Sequence, residues 1–577
     1  MSNIRKILEL TDSGDLKGFI LLVFLSLITI VLETLSIGMV IPLVSIIIEP
    51  NFLINYKDTE IGKFIPSIFY NFDHSAILFL VLIGFALIFL LKNLYVVFFS
   101  YVAALYSNRL KAKLTNRLLD KYLFQDYLFH LNKKYSNFVA NLTTETSLLT
   151  NGILLPLLTL FTEVLLIIMI VILITYLQLY KVIAIFGVFA LVGIILLKLT
   201  KKYFSIWGAL RENQEKIRIG SLNKLLSGIR DIILIGKKKS LLDKFNFSEN
   251  NIAKYSVNQN FLYSVPKNVF ETMGVFGLVG SILFLNYIGS STFEILTAAS
   301  FFIAASYRMI PSLNKIVNSY QSIKFHAPVL NLLKKEFSLS NKIDYSEDKI
   351  EFLKELKITN LSFKYPGTEK NVLSNLNLSI KKGSITGIVG KTGSGKSTLI
   401  DIISGLIQSQ SGQMIIDNVI VDNQKILRQW QNNLSYVSQN TYLMDDTIKN
   451  NIAFGLNINE INDNLLNSVL KDAELEGFIN TLPKKINSYV GDRGVSLSGG
   501  QIQRIGIARA LYRKSEFLIL DEITSALDKE TENKIIGNIL KNKKDQTILI
   551  ITHNLDLLKY CDAVYKIQDQ TISKIEN

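Results

Sequence analysis

The chain has 577 residues, enough for two or three domains, and 49% of them are hydrophobic, giving a mean hydropathy of +0.30 that is high for a soluble protein. The formal charge of +14 comes from Lys and Arg spread throughout the sequence, and no base-reading module is present, so we expect no nucleic-acid partner. The single cysteine, Cys561, excludes a disulfide within the chain and a Cys-based metal site.

Long apolar runs fill the chain up to about residue 310. The first, Phe19 to Ile48, is too long for a signal-peptide core and lacks a small-residue cleavage site, so it predicts a retained membrane helix. A membrane-spanning helix needs about 20 mostly apolar residues. The predicted spans are residues 18–46, 76–104, 150–177, 181–199, 268–288 and 292–311.

Two loops between these spans are long and basic. They join spans two and three and spans four and five, whereas the connections 178–180 and 287–292 carry no charge. Because basic loops stay in the cytoplasm, both long loops and both termini are predicted to be cytoplasmic. Apolar residues at helical spacing, such as Leu110, Leu114 and Leu118, predict membrane helices that extend into the cytosol and are joined by short transverse elements. A soluble subdomain inserted in each loop is the alternative.

Ionisable side chains within the spans are candidates for function, because charges inside a membrane are costly. The alternative is that opposite charges neutralise each other, or that Lys and Arg reach toward the membrane surface. Lys92 and Arg308 lie well inside apolar runs, and a cluster of buried cations would suit an anionic substrate group such as phosphate. The candidates are Glu33, Lys92, Glu163, Lys267, Glu271 and Arg308.

From about residue 350 short β-rich runs alternate with helical stretches. This pattern predicts an α/β core with a largely parallel sheet. The predicted strands are residues 356–363, 384–389, 413–416, 435–438, 517–520 and 547–552. We therefore predict a transmembrane domain over residues 1–335, a linker over 336–349 and a nucleotide-binding domain over 350–577.

A glycine-rich loop follows the second of these strands and precedes a predicted helix over residues 397–406, which is the context that a phosphate loop requires. Its glycines let backbone N–H groups turn toward the phosphates of ATP, and the helix N-terminus adds partial positive charge. Lys396 is expected to reach the β- and γ-phosphates, and Ser397 to ligate Mg²⁺. The predicted nucleotide-binding residues here are Gly390, Lys391, Thr392, Gly393, Ser394, Gly395, Lys396, Ser397 and Thr398.

Five further residues complete a predicted ATP-hydrolysing site. Asp521 ends an apolar strand, where its carboxylate can bind Mg²⁺ through water, and the adjacent Glu522 can take a proton from the attacking water. His553 follows another apolar strand and is expected to contact the γ-phosphate. Gln439 is expected to sense Mg²⁺ and the attacking water. Tyr365 is expected to stack on adenine, with a structural turn aromatic as the alternative.

A second glycine motif, Leu497–Gln501, lies about a hundred residues after the phosphate loop, and Ser525–Asp528 follows the catalytic carboxylates. Together with the spans, these motifs resemble the ATP-binding-cassette exporters, in which six spans precede one cassette, and the resemblance covers essentially the whole chain. Val490–Gly494 is similar to the segment that precedes the signature in exporters, with Asp492 in place of Glu, and Ile502 stands where a basic residue is common. Neither departure affects the ATPase chemistry.

The resemblance implies a head-to-tail homodimer that uses ATP and Mg²⁺. The signature of one chain would complete the ATP site built by the phosphate loop of the other chain. The signature residues that would bind nucleotide in this way are Ser498, Gly499, Gly500 and Gln501.

Two membrane segments, 32–42 and 307–316, resemble the flippase that turns over lipid-linked oligosaccharide in bacterial protein N-glycosylation. This resemblance implies a multi-pass protein of the bacterial inner membrane that moves a polyprenyl-pyrophosphate glycan. Residues 51–73 would form an external interfacial helix that engages the lipid tail. The basic residues implied for the substrate cavity are Lys92, Lys267, Arg308 and Lys315.

Other functions are compatible with parts of this pattern. An exporter of peptides, drugs or another lipid would keep every ATPase motif and differ only in the cavity. An ATP-gated channel or a regulator would be expected to have a degenerate catalytic carboxylate or signature, which Glu522 and Leu497–Gln501 argue against. The predicted spans exclude a soluble cassette protein acting on DNA or ribosomes.

Overall fold

The computed structural model describes residues 12–40, 43, 46–47, 74–176, 180–340, 346–491, 494–523, 526–541 and 545–575. The chain forms two compact units: one contains Met1–Leu123 and Lys133–Ser340, and the other contains Phe124–Asn132 and Asn341–Asn577. Several sequence expectations lie outside the described residues, namely the external helix of 51–73, the connection after residue 176, Asp492 and Ser525.

The first unit is helical. Its described helices are α1 (Ser13–Gly38), α2 (His74–Leu123), α4 (Tyr135–Ala140), α5 (Thr146–Leu148), α6 (Leu155–Tyr176), α7 (Tyr180–Ser227), α8 (Ile229–Ile235), α9 (Lys238–Tyr287) and α10 (Thr292–Phe337), with α3 (Tyr127–Asn132) belonging to the other unit. Two π-helical turns, Asn141–Glu145 and Leu149–Leu154, flank α5. The helices α2, α7, α9 and α10 are 46 to 50 residues long, which confirms that membrane helices continue through the basic loops.

Within the described residues, four helical stretches are long and apolar enough to cross a membrane: Ser13–Gly38, Ser75–Leu123, Tyr135–Leu173 and Lys238–Tyr287. The predicted spans 181–199 and 292–311 lie within α7 and α10. The first predicted span, 18–46, overlaps α1, and its last residues fall partly outside the described residues.

The helices of the first unit pack around α10, which contacts α6, α7 and α9. Ile170, Phe189, Phe270 and Ala305 are fully buried in this core, where large apolar side chains from different helices interdigitate. On α7, Gly208 lies so close to α10 that an added Cβ would fall 1.8 Å from the carbonyl oxygen of Phe325. A glycine is therefore required where these two backbones cross.

The second unit contains two sheets. Its strands are β1 (Glu355–Phe363), β2 (Leu373–Lys381), β3 (Ile385–Gly390), β4 (Ser411–Ile416), β5 (Val419–Ile420), β6 (Leu434–Val437), β7 (Phe517–Asp521), β8 (Thr547–Ile551), β9 (Ala563–Gln568) and β10 (Thr571–Ile575). The six-stranded sheet has the order β10-β9-β3-β8-β7-β6 and is parallel except for β10, whereas the four-stranded sheet β2-β1-β4-β5 is antiparallel. The prediction of a largely parallel sheet is correct for the six-stranded sheet. A separate antiparallel sheet was not predicted.

The helices of the second unit beyond α3 follow the strands in chain order. They are α11 (Lys396–Ile403), α12 (Gln424–Gln431), α13 (Ile448–Ile452), α14 (Asp463–Asp472), α15 (Glu476–Thr481), α16 (Gly499–Tyr512), α17 (Lys529–Lys541) and α18 (Leu555–Leu558). The helix predicted over 397–406 is α11, which ends three residues earlier because the chain turns at Gly405, whose φ is +70°.

The six-stranded sheet separates two hydrophobic cores. Phe517 and Ile519 of β7 point into the core shared with the four-stranded sheet and α11, while Leu518 and Leu520 point into the core formed with α16 and α17. Buried on both faces, β7 is apolar at consecutive positions up to Asp521, which is typical of a central parallel strand. This burial fixes the position at which the acidic residues emerge from the sheet.

One segment of the second unit comes from a distant part of the chain. Phe124–Asn132, which contains α3, belongs to this unit although the residues on both sides of it belong to the helical unit. Leu128 packs against the core that contains α11 and the four-stranded sheet. The sequence predicted short transverse elements between the membrane helices, and α3 is one of these elements. It belongs to the second unit.

Candidate functional site

The phosphate loop connects β3 to α11 and has the predicted strand–loop–helix context. Gly393 and Gly395 have φ values of +79° and +102°, which favour glycine, and an added Cβ at Gly395 would meet the Leu373 side chain at 2.8 Å. The hydroxyl oxygen of Ser394 is buried without a hydrogen-bond partner among the described residues. A tight loop with an unpartnered buried hydroxyl fits a phosphate group.

Lys396 begins α11, and its side chain turns back along the loop. Its ammonium donates to the carbonyls of Gly390 at 2.8 Å and Lys391 at 3.3 Å, and it lies 3.1 Å from Nε2 of His553. Lys396 is largely buried, whereas Ser397 is exposed and Thr398 is buried. The charge is therefore held beside the loop that would cradle the phosphates.

The three predicted catalytic side chains lie together. Gln439 Nε2 donates to Glu522 Oε2 at 2.6 Å, and His553 Nε2 lies 2.9 Å from Glu522 Oε1. Nε2 of His553 cannot accept a hydrogen bond from Lys396 and donate one to Glu522 at the same time. His553 can therefore bond to either partner, depending on which ring nitrogen carries the proton. Glu522 has a φ of +49°, an uncommon conformation for a residue with a side chain and one that occurs at functional sites.

Asp521 lies beside this group and is held from a different strand. The Tyr436 hydroxyl on β6 donates to Asp521 Oδ2 at 3.1 Å. Burial raises the pKa of Asp521, and the hydrogen bond from Tyr436 opposes that shift. On α11, burial and then the charge of Asp521 raise the pKa of Asp401 to about 6. Asp521 and Asp401 thus place two interacting carboxylates beside the helix that follows the phosphate loop.

The Asp521 carboxylate is suited to Mg²⁺ that arrives bound to a nucleotide. No group of three or more His, Cys, Asp and Glu side chains that could hold a metal by itself occurs in the described part of the chain. Mg²⁺ keeps several waters and is commonly held by one or two carboxylates together with substrate phosphates. Asp521 and the Ser397 hydroxyl are the side chains that would hold it, where it would offset phosphate charge. Gln439 donates its amide N–H to Glu522, which leaves its carbonyl oxygen to face Mg²⁺, and its role as a ligand stays a prediction.

Tyr365 lies at the edge of the phosphate-loop helix. Its hydroxyl is 3.2 Å from the Thr398 hydroxyl, and its ring meets Phe363 edge to face at a centroid distance of 5.1 Å. The side chain is half-buried. Adenine stacking on Tyr365 stays a prediction.

The signature motif forms the exposed N-terminus of α16. Ser498 caps this helix by accepting from the Gln501 N–H, and the Gln501 side chain accepts from the Ser498 N–H at 2.8 Å. Gly500 packs against the loop that contains Ala526, where an added Cβ would lie 2.9 Å from the Ala526 carbonyl oxygen. An exposed helix N-terminus rich in glycine is suited to binding phosphate.

Five ionisable side chains of the helical unit form a second candidate site, which we call the charge cluster: Glu33, Lys92, Glu163, Arg308 and Lys315. Glu33 Oε2 lies 3.3 Å from the Lys92 ammonium and 3.1 Å from Arg308 Nε. Glu163 lies 3.5 Å from Arg308 Nη2 and 2.7 Å from the Lys315 ammonium. The structure thus brings together three of the four predicted cavity cations.

Two expectations about these cations need correction. Lys92 and Arg308 are not an unpaired cationic cluster, because buried Glu33 and Glu163 neutralise most of their charge. Lys267 does not belong to the cluster: its ammonium lies 3.9 Å from Glu271, one turn away on α9, and both side chains are largely exposed.

Family comparisons agree with both halves of this description. A family profile described as "ABC transporter transmembrane region" matches residues 18–312, more than half of the chain, and one described as "ABC transporter" matches residues 373–525. The chain belongs to the ABC transporter family. It carries a helical membrane domain fused to one ATPase domain, and its activity is ATP hydrolysis coupled to transport, as in ABC exporters.

Curated relatives of this ABC transporter include proteins named ATP-dependent lipid A-core flippase. The protein from Pseudoalteromonas translucida is 26% identical over 480 residues, which cover 82% of this chain and 81% of that protein. The protein from Pectobacterium atrosepticum is 30% identical over 387 residues, 66% of this chain and 65% of that protein, so this match spans slightly less than two thirds of the relative's length.

A solved structure, described as a bacterial Atm1-family ABC exporter with ATP bound, has the same fold. Its TM-score is 0.77 with 18% identity, and the match covers 97% of this chain and 95% of that one. At this identity the likeness shows the fold alone. It confirms the predicted combination of a membrane α-helical domain and an α/β phosphate-loop ATPase domain.

Proposed function

We propose that this ABC exporter is a lipid flippase whose cargo has a phosphorylated saccharide head, specifically a polyprenyl-pyrophosphate oligosaccharide. The observation that carries this proposal is the charge cluster, in which cations from α2 and α10 meet inside the membrane domain. Buried cations are costly in a membrane and suit a substrate that brings negative charge. In an exporter of uncharged drugs these cations would serve only to pair with Glu33 and Glu163.

The named relatives support the lipid part of this proposal. Lipid A-core and polyprenyl-pyrophosphate glycans both join a phosphate-bearing saccharide to hydrocarbon chains, so one kind of cavity suits either class. Lipid A-core is therefore the second candidate cargo, favoured by the relatives that carry that name. The segments 32–42 and 307–316 favour the polyprenyl-pyrophosphate cargo.

The working form in this proposal is a homodimer in the bacterial inner membrane with both termini in the cytoplasm. Ser498 and Gly499 would complete the ATP site of the partner chain, which is consistent with their exposure in a single chain. Apolar side chains on α8 also favour an assembly that covers them, since Ile233 and Leu234 are 72% and 74% exposed.

The ATPase residues divide the chemical work within each proposed site. Lys396 and the phosphate loop would hold the phosphates in place, and Glu522 would accept the proton of the attacking water. Gln439 and His553 hold the Glu522 carboxylate from two sides and orient it. Asp521 and Ser397 would supply protein ligands for Mg²⁺.

The test is flipping by purified protein in proteoliposomes that contain a polyprenyl-pyrophosphate oligosaccharide. Arg308→Ala and Lys92→Ala should each reduce the apparent affinity for this lipid about tenfold to a hundredfold, since each loses a charge-assisted contact worth about 1.5–3 kcal/mol. Arg308→Lys should be milder because the charge remains although the planar fork is lost. Lys267→Ala is the matched control, because that cation lies outside the charge cluster.

The alternatives give different results in the same assay. A lipid A-core flippase would move lipid A-core faster than the polyprenyl-pyrophosphate lipid and would still depend on Arg308. A drug or peptide exporter would move neither lipid, and its transport would survive the loss of Arg308. Undiminished oligosaccharide flipping by both folded alanine variants would contradict the cationic-cavity proposal.

A further inference from the structure

The charge cluster contains its own counter-anions. Glu33 and Glu163 come from α1 and α6, and they are only 7% and 5% exposed. Neither helix supplies a cation to the cluster, so both carboxylates reach across to α2 and α10. Placing two buried carboxylates in a membrane domain is costly unless they are paired, and each of them contacts two cations.

The cluster does not neutralise itself completely. Among the described residues, three cations of the cluster face two carboxylates, which leaves one excess positive charge per cluster. Arg308 Nε and Glu163 Oε2 are buried without a well-formed hydrogen bond among the described residues, although they lie within ion-pair distance of opposite charges. Lys315, by contrast, has a half-exposed side chain and can reach a group outside the cluster.

We propose that Glu33 and Glu163 determine the charge of the lipid head that this exporter accepts. Their carboxylates compete with a substrate phosphate for the same cations. A cargo therefore binds only if its negative charge matches the excess positive charge that the glutamates leave. This inference rests on the flippase function proposed above and names two specificity-determining residues for it.

The excess charge fits a particular class of head group. Two clusters in the proposed homodimer carry two excess positive charges, and a pyrophosphate esterified at both ends carries about one negative charge per phosphate, since neither phosphate retains the second ionisation of a monoester. A lipid with two phosphate monoesters carries about −1.5 to −2 on each. The glutamates therefore favour a pyrophosphate diester over a bis-phosphorylated lipid, and removing one glutamate charge should reverse that preference.

The experiment compares two lipids in proteoliposomes made from the full-length protein. Stimulation of ATPase activity is measured against a polyprenyl-pyrophosphate disaccharide and against lipid A-core, and the ratio of their half-maximal concentrations is the readout. Glu163→Gln should shift this ratio about tenfold toward lipid A-core, the effect of one added charge on a charged contact. Glu33→Gln should shift it in the same direction.

Two further variants separate charge selection from damage to the fold. Glu163→Gln combined with Lys315→Gln restores the excess charge and should return the ratio to that of the wild type, which a purely structural role of Glu163 does not predict. Glu271→Gln removes a carboxylate of the membrane domain outside the charge cluster and should leave the ratio unchanged.

The outcomes distinguish this inference from the proposed function. If the wild-type protein responds to neither lipid, the flippase proposal fails and the inference fails with it. If the wild type responds but both glutamate variants keep its ratio, the glutamates do not select charge and only the inference is overturned. A shift that the Lys315→Gln second change does not reverse would also overturn it, because the effect would then not follow the net charge.

Discussion

Glu522 is the residue on which the proposed hydrolysis most directly depends. Its backbone is held at a φ of +49°, its N–H donates to the Ile551 carbonyl at 2.9 Å, and its carboxylate is bound on both sides by Gln439 and His553. Gln439 thus orients the carboxylate before any substrate arrives, and His553 can hold its second oxygen. Preorganisation of this kind is what makes a general base effective.

We predict that Glu522→Gln retains ATP binding and loses hydrolysis by a factor of about 10²–10⁴, because the attacking water loses its base while the phosphate loop stays intact. Phosphate release and retention of labelled ATP, measured on the same preparation, test both parts. Glu530→Gln is a matched control, since Glu530 is an exposed residue of the ATPase domain that pairs with Lys534 one turn along its own helix. Hydrolysis by Glu522→Gln at the wild-type rate would remove Glu522 from the role of base.

The sequence predicted these candidate catalytic residues, but it could not show how they meet. Gln439, Glu522 and His553 follow β6, β7 and β8, and the phosphate loop follows β3. The parallel order β3-β8-β7-β6 puts the carboxyl ends of all four strands at one edge, where ligands bind in open α/β sheets. Strand order arises from long-range pairing, so local patterns could not show that His553 lies between Lys396 and Glu522. Tyr436, which holds Asp521, was missed for the same reason.

At the scale of helices, α7 and α10 cross at Gly208. Among the glycines in the described part of the membrane domain, this one has the least room for a side chain. Gly208→Ala would force a Cβ to within 1.8 Å of the Phe325 carbonyl oxygen, so the two helices would have to separate. Overpacking against a rigid backbone costs about 1–3 kcal/mol. We therefore predict a lower midpoint of thermal unfolding for Gly208→Ala in detergent.

Gly84→Ala on α2 is the control for that substitution, because nothing lies within 4 Å of its added Cβ. Alanine favours a helix over glycine by about 0.5–1 kcal/mol, so this variant should be as stable as the wild type or slightly more stable. Equal midpoints for the two variants would show that the α7–α10 crossing can relax without cost.

Among strands, the sequence predicted those of the parallel sheet better than those of the antiparallel sheet. Predicted strands 517–520 and 547–552 are buried on both faces, and all their residues except Thr547 and Thr552 are apolar, so their pattern is easy to recognise. β2 alternates apolar residues such as Leu376, Leu378 and Ile380 with Ser and Asn, and it was missed because polar residues that favour turns hid its period of two. The short segment Phe124–Asn132 carries no pattern of its own that would assign it to the ATPase domain.

At the scale of the whole molecule, the charge cluster shows what a list of charged residues cannot. Lys92, Arg308 and Glu33 are far apart in sequence, and only helix packing decides whether such charges pair or face a cavity. The structure pairs them incompletely. The cluster can therefore be both stable within the membrane domain and attractive to an anion.

The proposed composite ATP site is the other feature that concerns the whole molecule. Lys396 and Ser498 are both intact in this chain, and the exposed N-terminus of α16 uses Ser498 and Gln501 to cap itself. If the signature acts on the partner's nucleotide, the phosphate loop and the signature can be inactivated on different chains without losing both sites. A heterodimer of Ser498→Arg and Lys396→Ala chains, each also carrying Glu522→Gln, would then have one intact site and one doubly damaged site.

We predict that this heterodimer, isolated with two different affinity tags, retains about one ATP per dimer, whereas both single-variant homodimers retain none, because each of their sites lacks either Lys396 or a functional signature. Equilibrium retention of labelled ATP after gel filtration gives the stoichiometry. Homodimers carrying only Glu522→Gln provide the reference of two. A signature that acted within its own chain would leave every site of the heterodimer with one defect, so the absence of retained ATP in a correctly assembled heterodimer would contradict the head-to-tail arrangement.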